Sequence, residues 1–253
     1  MAYHQTMSRD RPDSAPVLVL DTASPVVSLA VGIGDKVFAE RRLELRRSSE
    51  KLLDAVDAML AEADIVLDDL SGAAAVRGPG SFTGLRVGLG TVLGWHQALE
   101  LRATGLDGHE VLALAATRLG VEPGQEVTAA VDALRGDWCV RTFRIESSEL
   151  PEPAGVRRLV STPELIRALQ TTGRPVIGFG VEELASHDDA TDLQILAAPP
   201  LAPAALELAR QTEWDPGLLV QPIYFREPAV SVSKRDPAPP PVPDEEPRTA
   251  QAG

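Results

Sequence analysis

The stretch from Ala73 to Leu99 constrains the fold of this chain more than any other. The small apolar run from Ala73 to Val76 reads as a buried strand. Gly78-Pro79-Gly80 breaks it, Ser81 and Thr83 can cap a helix, and the apolar segment to Leu99 supplies that helix. Gly84, Gly88, Gly90 and Gly94 all fall inside it and weaken it by about 3 to 4 kcal/mol against alanine. Gly84 and Gly88 share a face, and Gly90 and Gly94 repeat the spacing, so close approach of another backbone is the expected compensation. The ridge is predicted to be covered by polypeptide, from the same domain or from a second chain.

Glycines before a helix start present N–H groups to an anion, so the loop permits phosphate binding. The spacing fits neither Gly-x-x-x-x-Gly-Lys-Ser/Thr nor Gly-x-Gly-x-x-Gly. A nucleophile elbow needs Gly-x-Ser-x-Gly, and Ser81 has Pro79 two positions before it and Thr83 two after.

Length and charge narrow the classes. A chain of 253 residues suits two small domains sharing an interface. Aromatics make up only 4%, which leaves little for stacking exposed bases. The net charge of -13 sits on the body, because residues 1–15 are balanced and the segment from Arg226 onward carries four basic against five acidic residues. Such a surface repels a nucleic-acid backbone, so any work on nucleic acid needs a partner's basic surface. Cys139 is the single cysteine, which excludes an intrachain disulfide, fits a reducing compartment and reads as a buried thiol beside Trp138. No apolar run reaches the length of a membrane span.

Along the chain, residues 1–15 read as a flexible leader. Val17-Leu18-Val19-Leu20 suits a strand buried on both faces, and Val26 to Val31 and Lys36 to Arg42 extend it into an antiparallel meander. Asp21 and Thr22 sit in the turn after the first strand, where side chains satisfying turn backbone is the simpler reading. Leu52, Leu53, Val56, Met59 and Leu60 form the apolar stripe of a helix capped at Ser48 or Ser49. Strands and helices then alternate to Gln211, with Thr162-Pro163 capping and opening one helix and Ala202 to Gln211 forming the last, which argues for a mixed α/β domain. Seven prolines in the last 28 residues predict a disordered tail over 228–253. The four histidines, at positions 4, 96, 109 and 187, show no paired metal-ligand spacing.

The block from Gly78-Pro79-Gly80-Ser81-Phe82-Thr83-Gly84 to Gly88, with its preceding strand and Val17 to Ser24, closely resembles the TsaB family, also called YeaZ. Val131-Asp132-Ala133-Leu134-Arg135-Gly136 is similar to that family's Val-Asp-Ala-Arg-Arg-Gly, and Gln221-Pro222-Ile223-Tyr224-Phe225-Arg226 to its terminal Pro-x-Tyr-Leu-Arg. The pieces run in family order over residues 17–226. The resemblance implies a two-lobed actin-like (Hsp70-like) α/β fold with mixed sheets. One lobe would cover 16–107 and carry the interface helices; the other would cover 108–227.

It further implies a non-catalytic, cytoplasmic partner subunit. This subunit would bind the catalytic subunit TsaD and, with the ATPase TsaE, support threonylcarbamoyl transfer to N6 of adenosine 37 in tRNAs reading codons that begin with A. On that reading the partner face comprises Ser48, Leu52, Leu53 and Val56 of one helix with Gly84, Val87, Gly88 and Thr91 of the other. Gly78, Pro79, Gly80, Ser81, Thr83 and Arg86 make the motif loop, and Asp21 and Thr22 are a nucleotide-site remnant. No metal or cofactor on this chain is expected, ATP and a metal ion being used by the partner subunits; tRNA is reached through the complex, and a homodimer through the same helices is open. Family members commonly read Arg-Glu-His-Ser where this chain has Arg46-Arg47-Ser48-Ser49, so Ser48 replaces a histidine. Two other readings stand: an actin-like ATP-dependent phosphotransferase relying on Asp21, and a peptidase-like hydrolase using Ser81.

Overall fold

The computed structural model describes residues 15–33, 36–43, 48–147 and 150–225, with backbone only for 48–50. The leader apart from Ala15, the proline-rich tail, Arg46-Arg47 and the Ser48 side chain therefore lie outside the described residues.

The first sheet holds β1 (Val17–Asp21), β2 (Val27–Ile33), β3 (Lys36–Leu43), β4 (Gly72–Val76) and β5 (Arg102–Leu106) in the order β3-β2-β1-β4-β5. The meander is antiparallel, whereas β4 lies parallel to β1 and β5 parallel to β4. The second sheet is built from β6 (Glu126–Asp132), β7 (Asp137–Arg144), β8 (Glu152–Pro153), β9 (Arg158–Ser161), β10 (Val176–Gly178) and β11 (Ile195–Ala197). Here β6, β7 and β9 pair antiparallel, while β10 runs parallel to β6 and β11 to β10. The order β9-β7-β6-β10-β11 repeats that of the first sheet. A duplicated three-antiparallel, two-parallel unit is the actin-like two-lobed architecture. The repeat also sets Asp132, at the end of β6, in the place that Asp21 holds at the end of β1.

Parallel pairing needs crossovers, and helices supply them. α1 (Ser48–Glu62) leads from β3 to β4 and packs on β2 and β3; α2 (Phe82–Leu99) leads from β4 to β5 and packs on both. α3 (Gly108–Thr117) and α4 (Thr162–Thr172) serve the second sheet. The cap of α4 is Ser161 rather than Thr162: the Glu164 carboxylate accepts from the Ser161 N–H (2.8 Å), closing a capping box and leaving Pro163 inside the first turn.

Residues 202–225, expected with the second lobe, return to the first sheet. α5 (Ala202–Gln211) packs on β1 and β2, and its Ala202 N–H donates to Ser28 Oγ (3.1 Å). The 3-10 turn Pro216–Val220 lies on β5. One apolar core runs from Leu18 and Leu20 through α3 and α5 to Val127, Phe143 and Ile177, so the two sheets share it. No helix of the described residues is long and apolar enough to cross a membrane.

Candidate functional site

The motif loop is held by its own chain on three sides. Gly78 adopts φ +103°, and a Cβ there would overlap the Ile223 carbonyl oxygen, so only glycine fits. Residues 221–225 form a strap across the loop: the Ile223 N–H donates to Arg77 O (2.6 Å), and Arg77 Nη1 donates to Gln221 O (2.9 Å). On another side the Ser81 N–H donates to Ala23 O (2.8 Å), and on a third the Gly108 N–H donates to Gly78 O (2.8 Å). Ser81 caps α2, its Oγ accepting from the Gly84 N–H (3.2 Å). The strap also lays Tyr224 against Phe82, with ring centroids 5.3 Å apart, and the Arg86 guanidinium covers the Phe82 ring at 3.9 Å. Thr83 and Arg86 are exposed.

The glycine ridge divides. Thr22 Oγ1 donates to Gly84 O (2.7 Å), and a Cβ at Gly84 would overlap Thr22 O, while one at Gly88 would overlap Thr22 Oγ1. The turn after β1 thus covers Gly84 and Gly88 from within the chain, and these two are packing residues rather than open surface. Gly90 and Gly94 are exposed, and a Cβ at either meets nothing within 4 Å. Val87 and Thr91 beside them are half-buried, with Thr91 Oγ1 donating to Val87 O (2.8 Å). On α1, Leu52 and Val56 are each 1% exposed and belong to the core, leaving Leu53, at 55%, as the outward member of that set among the described side chains. Equal spacing could not separate the two glycine pairs; what separates them is the phase of α2 against Thr22.

Asp21 is fully buried. Its Oδ1 accepts from the Ala23 and Ser24 N–H groups (3.1 and 3.2 Å), while Oδ2 has no hydrogen-bond partner among the described residues. Burial raises its pKa to about 6, against the lowering effect of the Ser24 and Ala23 hydrogen bonds. Asp132 repeats the turn, its Oδ1 accepting from the Leu134 N–H (2.7 Å).

A group that sequence reasoning missed lies at the start of α3. His109 is fully buried; its Nδ1 accepts from Arg157 Nε (3.2 Å), which leaves Nε2–H to donate to Cys139 O (2.9 Å). Arg157 and Arg141 both reach Asp107 Oδ2, the latter at 3.1 Å. Desolvation lowers the His109 pKa to about 4 against the raising effect of the Cys139 carbonyl, so the ring is neutral at physiological pH and ties β7 to α3. Nothing in the spacing of His109 and Arg157, 48 positions apart, announces this contact. Burial pushes the Cys139 thiol up to about 11, and the native protein is expected to react with Ellman's reagent only after unfolding in urea.

Between the two sheets lies a cavity of about 690 Å³. Val76, Pro79 and Phe82 wall it from the first half, Ala130, Val131 and Phe179 from the second. An actin-like fold implies a nucleotide in such a cleft, and the residues present do not fit one. Among the described residues no lysine or arginine lines the cavity, the motif-loop N–H groups of Ser81 and Gly84 are taken by Ala23 and Ser81 itself, and Asp21 is sealed beneath.

Comparison with known proteins places this geometry. The family model for TsaD, tRNA N6-adenosine threonylcarbamoyltransferase, matches residues 42–172, just over half of the chain. The proteins named TsaB, tRNA threonylcarbamoyladenosine biosynthesis protein, from Escherichia coli and Haemophilus influenzae are similar. The first is 33% identical over 48% of this chain, and the second 28% identical over 83%. The chain belongs to the TsaB (YeaZ) family. The matches span 52% of the Escherichia coli TsaB and 93% of the Haemophilus influenzae one. YeaZ from Pseudomonas aeruginosa has the same fold, at TM-score 0.65 and 23% identity over 83% of this chain and all of that one. A second Pseudomonas aeruginosa structure, of a protein with similarity to peptidase YeaZ, superposes at TM-score 0.67 and 22% identity, covering 84% of this chain and all of that one.

Proposed function

We propose that this TsaB-family chain acts in tRNA threonylcarbamoyladenosine biosynthesis as a non-catalytic subunit that docks TsaD through the outward face of α2. The observation that carries the reading is the open pair Gly90 and Gly94, flanked by Thr83, Arg86 and Val87. Two interior glycines cost the helix about 2 kcal/mol, and no contact among the described residues repays it there. Close approach of a second polypeptide does, and Leu53 of α1 offers an apolar side chain to a partner. The same face serves self-pairing when TsaD is absent. The acidic body supports a role in which tRNA is met by the complex rather than by this chain. In this role the chain needs no cofactor of its own, ATP and a metal ion serving TsaE and TsaD, and works in the cytoplasm.

The test is reconstitution of adenosine-37 modification with TsaD and TsaE, with and without this chain, alongside co-elution with TsaD. Modification is expected to require the chain. Gly90→Arg, whose Cβ meets no described residue in the free protein, is expected to stabilise that protein by about 1 kcal/mol through helix propensity and yet to weaken co-elution and modification at least about tenfold. Full modification without the chain, or with Gly90→Arg, overturns the proposal. Turnover of a peptide or of ATP by the chain alone, abolished by Ser81→Ala or Asp21→Ala, would favour a catalytic reading instead.

A further inference from the structure

The cavity between the sheets has walls that reject a phosphate, yet it is of the size that holds a small ligand. Its mouth is formed in part by the β6–β7 hairpin, and there the backbone is strained. Leu134 and Arg135 hold φ +64° and +62°, followed by Gly136 at +80°. Left-handed conformation at a non-glycine residue costs roughly 1–2 kcal/mol each, and Asn-Gly is what such a turn ordinarily uses. The strain keeps Leu134, 63% exposed, at the rim of the cavity, which Phe82 and Tyr224 also line. Strained residues that present an apolar side chain to a concave apolar site are a functional signal rather than a packing one, because Leu134 gains little burial in return. The charge of the lining points one way: Asp132 is its charged residue among those described, and its carboxylate stands at the end of β6.

We infer that this cleft, in place of the nucleotide its fold implies, binds a flat aromatic small molecule that is uncharged or cationic, gripped between Leu134 and the Phe82–Tyr224 pair and selected by Asp132. An anionic ligand meets the Asp132 carboxylate without a counter-charge from the described wall. A cationic or neutral ring system fills apolar space and leaves Asp132 either paired or hydrated.

Two dyes with one skeleton test this on the full-length protein: N-phenyl-1-naphthylamine, which is neutral, and 1-anilinonaphthalene-8-sulfonate, its anionic counterpart. The neutral dye is expected to bind one saturable site at least about tenfold more tightly than the sulfonate. Leu134→Asp removes the apolar clamp in a residue type that tolerates the left-handed backbone, and Leu134→Gly removes it while relieving strain. Both are expected to weaken the neutral dye about fivefold or more, and Asp132→Asn to bring the two dyes within about twofold of each other. Binding of the neutral dye that ignores both Leu134 variants, equal binding of the two dyes to the unaltered chain, or no saturable site would each overturn the inference.

Discussion

Gly84→Ala is expected to lower stability by about 4 kcal/mol, most of the margin of a domain at the low end of the usual range. The added methyl group would occupy the position of the Thr22 carbonyl oxygen, which is backbone and tied to the turn after β1. Either α2 withdraws and loses the bond from Thr22 Oγ1 to Gly84 O, or the turn moves and disturbs the Ala23 and Ser24 N–H groups that hold Asp21. Gly94→Ala, in the same helix and with open space around it, is expected to gain about 1 kcal/mol from propensity alone. Urea unfolding followed by circular dichroism reads both changes. A Gly84→Ala protein as stable as its parent would mean that Thr22 does not seal the ridge.

The second large effect is the pH dependence set by Asp21. Its folded pKa of about 6 lies above the ordinary 3.8, so between those values the folded state holds more protons than the unfolded one. Stability therefore falls as pH rises from about 4 to 6, and at neutral pH the buried carboxylate costs about 3 kcal/mol. Asp21→Asn keeps an oxygen for the Ala23 and Ser24 N–H groups and removes the charge, so it is expected to stabilise the neutral protein by about 2 kcal/mol. His109 acts with the opposite sign: its folded pKa of about 4 lies below 6.5, so its contribution is present above pH 6.5 and is lost as pH falls toward 4. The two slopes partly cancel in the parent. Asp21→Asn should unmask a stability that rises steeply from pH 4 to 6.5, measured as unfolding midpoint against pH. A flat profile in that variant would count against the buried, neutral His109.

Much of the fold was legible because local patterns matched the tertiary role. Val17-Leu18-Val19-Leu20 and Ala73-Ala74-Ala75 read as doubly covered strands and are the paired centre of the first sheet. Ala202–Gln211 was equally legible as a helix, but its amphipathic pattern says only that one face is apolar, not which sheet meets it, and so its return to β1 and β2 was not. The site was legible in part for the same reason. Spacing located the glycine-rich helix and could not tell the face covered by Thr22 from the one left open. At Leu134 and Arg135 the residue types argue against a left-handed turn, so that strain was visible only in the backbone.

The strap at 221–225 gives the chain an order of assembly. Arg77 waits for Gln221, 144 positions later, and Ser28 for Ala202, 174 positions later. A polypeptide emerging from the ribosome therefore exposes the first sheet, with its Gly78 loop unclasped, until residues 202–225 have been made. Such distant closures are slow to form, so truncation at any point before Phe225 should yield a species prone to chaperone capture rather than a smaller stable lobe.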